Sequence, residues 1–219
     1  MLTRTTENYL KALYYLHQQS PEISITDLGN EMGVSKPTAN NMVKRLQEQG
    51  WVNYQKYKPL TLNDKGVIEA AIIIRKHRLA EMFLSKVMNF GWEEVHDIAE
   101  ELEHIKSESF FERMDQILGF PTHDPHGSPI PDKEGNITPH NYQLLTQIKP
   151  GAKVEIKALR DSSLTLIGYL NKKDIALGIT MEVHDIEKFD NSMILSYGKH
   201  SKVVLTETVC NSLYVEVLK

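Results

Sequence analysis

Residues 24–50 read SITDLGNEMGVSKPTANNMVKRLQEQG, and this stretch decides the fold. Ser24 or Thr26 is placed to cap a short helix. Gly33 closes that helix where a left-handed backbone is needed. Val34 follows as the inward turn residue. Ser35 then caps a second helix with Pro37 in its first turn, where proline is tolerated. That helix is expected to run to Gln49, with Gly50 as its stop. Helix, short glycine turn, helix is the helix-turn-helix pattern.

Outward from this unit, Tyr9, Leu10, Leu13, Tyr14 and Leu16 mark an apolar stripe over 5–19, which predicts a helix capped by Thr5 or Thr6. On the other side, 51–62 alternate around a break at Lys58-Pro59, the pattern of a β-hairpin, or wing. Asn63 or Asp64 is placed to cap a long helix to about Lys86. Helices are also predicted over 92–105 and 107–118. The stretch 119–140 carries Pro121, Pro125, Pro129, Pro131 and Pro139 and reads as a linker. Beyond Tyr142 the period falls to two. Short strands are predicted at Val154–Ile156, Thr165–Ile167, Met181–Val183, Met193–Leu195, Val203–Leu205 and Tyr214–Val217, together a small β-barrel. The fold class expected is mostly α with a C-terminal β part.

Composition bounds the function. The 219 residues suit more than one domain. No apolar run reaches the length of a membrane span. The opening MLTRTTENYLKAL turns polar at once, so a cytoplasmic, membrane-free protein is expected. The lone Cys210 excludes an internal disulfide and a zinc-finger cysteine set. The net charge of −4 is unevenly spread. Lys36, Lys44, Arg45, Lys56 and Lys58 face a single acid, Glu48, within 35–58, whereas 93–104 hold six acids and no lysine or arginine.

The basic segment is the one that would meet DNA. The second helix of such a unit presents its N-terminal residues to the major groove. Here these are Ser35, Lys36, Pro37, Thr38, Asn40 and Asn41. Lys44, Arg45, Lys56 and Lys58 suit phosphates. So few arginines on the reading helix imply modest contact per subunit and a homodimer on paired half-sites of double-stranded operator DNA.

The acidic segment is the one that would meet cations. His96, Glu100, Glu103 and His104 fall at i, i+4, i+7 and i+8, one stripe of a helix. His77 and Glu81 form a second i, i+4 pair on the preceding helix. Oxygen and imidazole donors without cysteine or methionine suit Mn2+ or Fe2+. Two other classes are compatible with these donors. A metal-dependent hydrolase would use the same donors on water, with His123, Asp124 and His126 as a further cluster, although the neighbouring prolines favour a rigid turn there. A metal-buffering adaptor would bind metal without reading DNA. The absence of a nucleophile motif weighs against an enzyme and its small-molecule substrate.

The chain also resembles the diphtheria-toxin-repressor and manganese-transport-regulator (DtxR/MntR) family. The residues that carry the resemblance are TTENYLKALYYL at 5–16, the helix-turn-helix from Thr26 to Gly50, RKHRLAE at 75–81, VHDIAEELEHIKSE at 95–108 and DPHGSPIP at 124–131. LTQIKPGAKVEI at 145–156 and YLNKKDIALGITMEV at 169–183 resemble its SH3-like, FeoA-type barrel. The resemblance implies a winged helix-turn-helix over 1–63, a helical metal-binding and dimerisation domain over 64–120, a linker over 121–141 and the barrel over 142–219. It implies a metal-dependent repressor of metal homeostasis with two sites per subunit. The primary site matches at Glu100, Glu103, His104 and Asn8, the ancillary site at His77, Glu81 and His96, and the barrel offers Asp161. Glu100 stands where iron-type members carry cysteine, so manganese is the expected metal and iron(II) the alternative. Asn8 stands where methionine or aspartate is frequent. Lys11 stands where two-metal manganese regulators carry glutamate. Without metal, the clustered carboxylates are expected to repel one another and leave the first helix loose. Removing Glu103 is expected to abolish metal-dependent DNA binding with the fold intact.

Overall fold

A computed structural model describes residues 2–56, 58–138 and 141–218. The linker proline Pro139 lies outside the described residues. The chain forms two compact units. One comprises Met1–Phe83, Asp97–Thr122 and Ile130–Thr138, the other Leu84–His96, His123–Pro129 and Pro139–Lys219.

In the first unit, α1 (Arg4–Gln19) begins one residue before the expected cap. Thr3, not Thr5 or Thr6, caps it by accepting from the Thr6 amide. Ser24 caps α2 (Ile25–Glu31) and Ser35 caps α3 (Lys36–Glu48). Between them Gly33 sits at φ +62°, a conformation that a Cβ would strain. The wing is smaller than predicted: β1 (Val52–Asn53) pairs antiparallel with β2 (Thr61–Leu62), and Leu60 adds a bridge back to Ile23. Then α4 (Asp64–Lys86) starts behind Asn63, whose side-chain oxygen accepts from the Gly66 amide. Gly66 is required there, because a Cβ would lie 2.1 Å from the Trp51 carbonyl.

One core joins these pieces. Leu10 and Leu13 of α1, Leu28 of α2, Val43 and Leu46 of α3, Leu60 and Leu62 at the wing and Ile74 of α4 pack together. Burying each of the leucines contributes about 2 kcal/mol. The helix predicted over 92–105 is shorter, α5 (Val95–Leu102), and α6 (Glu108–Ile117) starts behind its cap Ser107.

The second unit holds a six-stranded antiparallel sheet. Its strands are β3 (Gln143–Leu144), β4 (Lys153–Leu159), β5 (Thr180–Ile186), β6 (Met193–Tyr197), β7 (His200–Leu205) and β8 (Leu213–Val217), in the order β3-β8-β4-β5-β6-β7. Alternate residues Val154, Ile156, Met181, Val183, Leu195, Leu213 and Val215 fill its core. Five of the six predicted strands form. The sixth fails: Thr165–Ile167 lies in α7 (Leu164–Lys172), where Ile167 and Leu170 face the core at helical spacing behind the cap Ser163. A four-residue helix, α8 (Glu207–Cys210), follows β7 and places Cys210 in that core. Burial pushes the Cys210 thiol up to about 12, so it is inert as a ligand at neutral pH.

Candidate metal centre and nucleic-acid interface

Within the first unit, α1, α4 and α5 converge on Glu103, which has no solvent exposure. Lys11 Nζ lies 2.8 and 2.9 Å from its two carboxylate oxygens and also bonds Glu100. From α4, His77 Nδ1 lies 2.6 Å from Glu103 Oε2, and His77 Nε2 lies 3.1 Å from Glu81 Oε1. Both ring nitrogens donate only if the imidazole is protonated. Burial alone would push the His77 pKa down, but the bonds to Glu103 and Glu81 outweigh it and raise it to about 9. Burial likewise opposes the Lys11 ammonium, and Glu103 and Glu100 outweigh it, so its pKa is raised.

A second layer surrounds this triad. Glu7 is buried and lies 2.6 Å from His104 Nδ1, and it pairs with Lys106. Arg4 donates both terminal nitrogens to Glu101, at 2.6 and 2.8 Å. Hence α1 is tied to the α5 segment by three sets of opposite charges. The expectation of a loose first helix fails on these contacts, because Lys11 and His77 neutralise the carboxylates that were expected to repel.

Two buried atoms in this region lack a hydrogen-bond partner: Asn8 Oδ1 and His104 Nε2. An orphaned buried acceptor is costly, and each such atom calls for an explanation. Glu7 accepting from His104 Nδ1–H leaves the lone pair on Nε2, the tautomer a metal requires. His104 Nε2 is 3.7 Å from Glu103 Oε1. Ligand atoms of His77, Glu100 and Glu103 also lie within 4.8 Å of one another. Carboxylate oxygens with imidazole nitrogens are donors that suit a hard or borderline divalent cation.

Glu100 and Glu103 meet at Lys11, His104 lies beside Glu103 and Glu7, and Asn8 follows Glu7 on α1, while His77 and Glu81 are linked to Glu103 through the His77 ring. His96 is an exposed residue of the second unit. Asp161, also in the second unit, is exposed and accepts from the Ser163 amide and hydroxyl at the start of α7. Sequence reasoning missed Glu7, although it sits beside Asn8 in a family-like motif. It also treated Lys11 as a departure rather than a partner. Asp124 and His126 do form a turn, with Asp124 Oδ1 accepting from the His126 and Ser128 amides, but both are buried and His126 Nε2 lies 2.8 Å from the Trp92 carbonyl.

The residues expected to meet DNA are mostly at the surface of the first unit. Ser35, Lys36, Pro37, Thr38, Asn41, Lys44 and Arg45 on and before α3 are exposed, as are Lys56 and Lys58 on the wing. Asn40 is held in place: the Tyr54 hydroxyl donates to its Oδ1 at 2.7 Å, while Gln47, two turns further along α3, donates to the Tyr54 carbonyl at 2.7 Å.

Known proteins are similar to this chain along most of its length. Residues 1–60 match the iron dependent repressor N-terminal DNA binding domain, 63–132 the iron dependent repressor metal binding and dimerisation domain, and 143–217 the FeoA domain. The iron-dependent repressor IdeR of Mycobacterium tuberculosis is 33% identical over 162 residues, 71% of this chain and 70% of that protein. The diphtheria toxin repressor of Corynebacterium jeikeium is 27% identical over 197 residues, 81% and 82% of the two chains. Among solved structures, a manganese-dependent transcriptional repressor in complex with manganese superposes with a TM-score of 0.85 at 30% identity, covering 97% of this chain and all of that one. The manganese regulator SloR gives a TM-score of 0.78 at 29% identity, with 99% and 100% covered. Helix-turn-helix, acid and imidazole cluster and FeoA-type sheet therefore occur here together and in family order, and the chain belongs to the DtxR/MntR family of metal-dependent transcriptional repressors.

Proposed function

We propose that the protein is a manganese-responsive repressor, in which Asn8, Glu100, Glu103 and His104 hold the primary metal. The observation that carries this reading is the pair of orphaned buried atoms, Asn8 Oδ1 and His104 Nε2, the latter 3.7 Å from a Glu103 oxygen. No thiol or thioether belongs to this set, and Cys210 is confined to the other unit's core. The solved relatives named above for manganese support the same choice. His77, Glu81 and His96 make up the proposed ancillary site, to which the reading adds Asp161.

The metal would supply a fixed positive charge shared by ligands on α1, on α5 and in the turn that follows α5. The chain's own residues do the rest. Asn8 lies on α1, whose Tyr9, Leu10 and Leu13 pack in the same core as Leu28, Val43 and Leu46. Where α1 is held, α3 is held. Ser35, Lys36, Pro37, Thr38, Asn40 and Asn41 then meet the major groove, and Lys44, Arg45, Lys56 and Lys58 the phosphates. Phe110, Ile117 and Phe120, exposed on and just after α6, suit the partner subunit of a homodimer. The proposed domain limits are 1–63, 64–120, 121–141 and 142–219, and the proposed location is the cytoplasm. Among the described residues no helix is long and apolar enough to cross a membrane.

Iron(II) is the second reading, favoured by the iron-dependent name of the IdeR relative. Fluorescence anisotropy on promoter DNA from the host's metal-transport genes separates the two. Mn2+, anaerobic Fe2+, Zn2+ and chelator are compared at one salt concentration. Tight binding with Mn2+ at cellular concentrations is expected. Equal binding in chelator overturns metal control, and a response to Fe2+ alone overturns manganese.

A further inference from the structure

The acid cluster contains a cation of its own. Lys11 Nζ contacts both carboxylate oxygens of Glu103, at 2.8 and 2.9 Å, and bonds Glu100 as well. The Lys11 side chain is 10% exposed and that of Glu103 not at all. Of the neighbouring cations, Arg4 bonds Glu101 and Lys106 bonds Glu7, while His77 bonds one Glu103 oxygen and Lys11 spans both Glu100 and Glu103. An ammonium this deeply buried persists only when it is paired well. Glu100 and Glu103 are also the two carboxylates assigned above to the primary metal.

We propose, resting on that metal-site reading, that Lys11 is an internal competitor of the metal: its ammonium holds the lone pairs of Glu100 and Glu103 and must leave before a divalent cation can take them. A cation bound at about 2.1 Å from a carboxylate oxygen cannot share that oxygen with an ammonium donor without strong like-charge repulsion. Binding is therefore an exchange of one cation for another. Lys11 has a route out, because its long stem lets the head group swing past Glu100, whose side chain is 29% exposed. In the metal-free protein Lys11 bridges α1 to Glu100 and Glu103; in the loaded protein Asn8, one turn away on the same helix, makes that link. The exchange cost raises the metal concentration at which the protein responds, so Lys11 sets the threshold of the sensor.

The test is calorimetric titration of the full chain with MnCl2 at fixed pH, comparing wild type with Lys11→Met and Lys11→Arg. Lys11→Met removes the competitor and is expected to tighten Mn2+ binding by about tenfold or more. It is also expected to melt lower than wild type in chelator and to gain more from added Mn2+, since buried Glu103 and half-buried Glu100 then lose the ammonium they share. Lys11→Arg keeps the charge and should stay near the wild-type Kd. Unchanged or weaker binding by a folded Lys11→Met protein overturns the proposal. So does equal tightening in both variants, which would assign the effect to packing rather than charge. If Lys11→Met does not fold, Lys11→Gln takes its place, and a Kd at or above the wild-type value overturns the proposal. Wild type that takes up no Mn2+ overturns the site reading itself, and the competitor with it.

Discussion

Replacing Glu103 with Ala tests the centre where its parts meet. The sequence leads one to expect loss of metal response in an intact fold. The structure leads to a different outcome, because Glu103 is the acceptor for Lys11 through both oxygens and for His77 through one. Lys11 and His77 are themselves nearly buried. Removing the acid leaves two cations facing each other without their shared counter-charge. Breaking a buried pair in this way costs about 3–5 kcal/mol, a large part of the roughly 5–15 kcal/mol that holds a domain together. The effect belongs to the first unit, so it is best read from Trp51, which packs on that unit's core, in a Trp92→Phe background. With a urea slope near 2 kcal/mol per molar, the midpoint in chelator should fall by about 2 M. Adding Lys11→Met should recover part of the loss, because one of the stranded cations is then gone. A midpoint in Glu103→Ala within about 0.3 M of the parent's would refute the view that this acid neutralises two buried cations.

Three other outcomes follow from the same geometry. The His77 pKa is raised from 6.5 to about 9 by Glu103 and Glu81 against the pull of burial; this support is complete below pH 6.5 and is lost as pH rises through 9, so the metal-free protein should lose up to about 3 kcal/mol across that window, and a melting temperature flat with pH would contradict it. Tyr54→Phe releases Asn40 Oδ1 from its donor, and the Mn2+-loaded variant should enrich a different base at one position when duplexes are selected from a random library; an unchanged preference would show that Tyr54 does not orient Asn40. Arg45→Ala should lower the slope of log affinity against log salt by about one, and an unaltered slope would remove Arg45 from the phosphate contacts.

The helical half of the molecule was largely legible in the sequence because its signals are local. Ser24, Gly33, Ser35, Pro37 and Gly50 act on the backbone within a turn of where they stand, and the structure places α2, the glycine turn and α3 accordingly. The C-terminal strands were legible wherever one face is buried and the other wet. Thr165–Ile167 misled because a three-residue alternation fits a strand and a helix equally well. The deciding residues, Ser163 as cap and Leu170 on the same buried face, lie outside that window. The spacing of His96, Glu100, Glu103 and His104 suggests one helical stripe of candidate metal ligands, but α5 ends at Leu102, and Glu103 and His104 lie in the turn beyond it. The counter-charges were not legible, since Lys11 and Glu7 reach residues 89 to 99 positions away. No local pattern marks a lysine that is aimed inward.

That long-range pairing changes how control of DNA binding must work. A first helix held loosely by mutual repulsion would be ordered by the metal from a disordered start. A first helix already held by Lys11, Glu7 and Arg4 would, under the proposed exchange, pass from one held state to another. The distinction matters because α1 shares its core with α3, with Leu10 and Leu13 packed among Leu28, Val43 and Leu46 at zero exposure. A close-packed core transmits a small shift of α1 to the reading helix rather than absorbing it. The switch then depends on the difference between two ion-paired states and not on folding entropy. Such a difference typically amounts to about 1–3 kcal/mol of coupling, small beside the gross energies of the buried charges. Substitutions at Lys11 or Glu7, which never touch DNA, should therefore alter operator affinity by changing which of the two states is preferred.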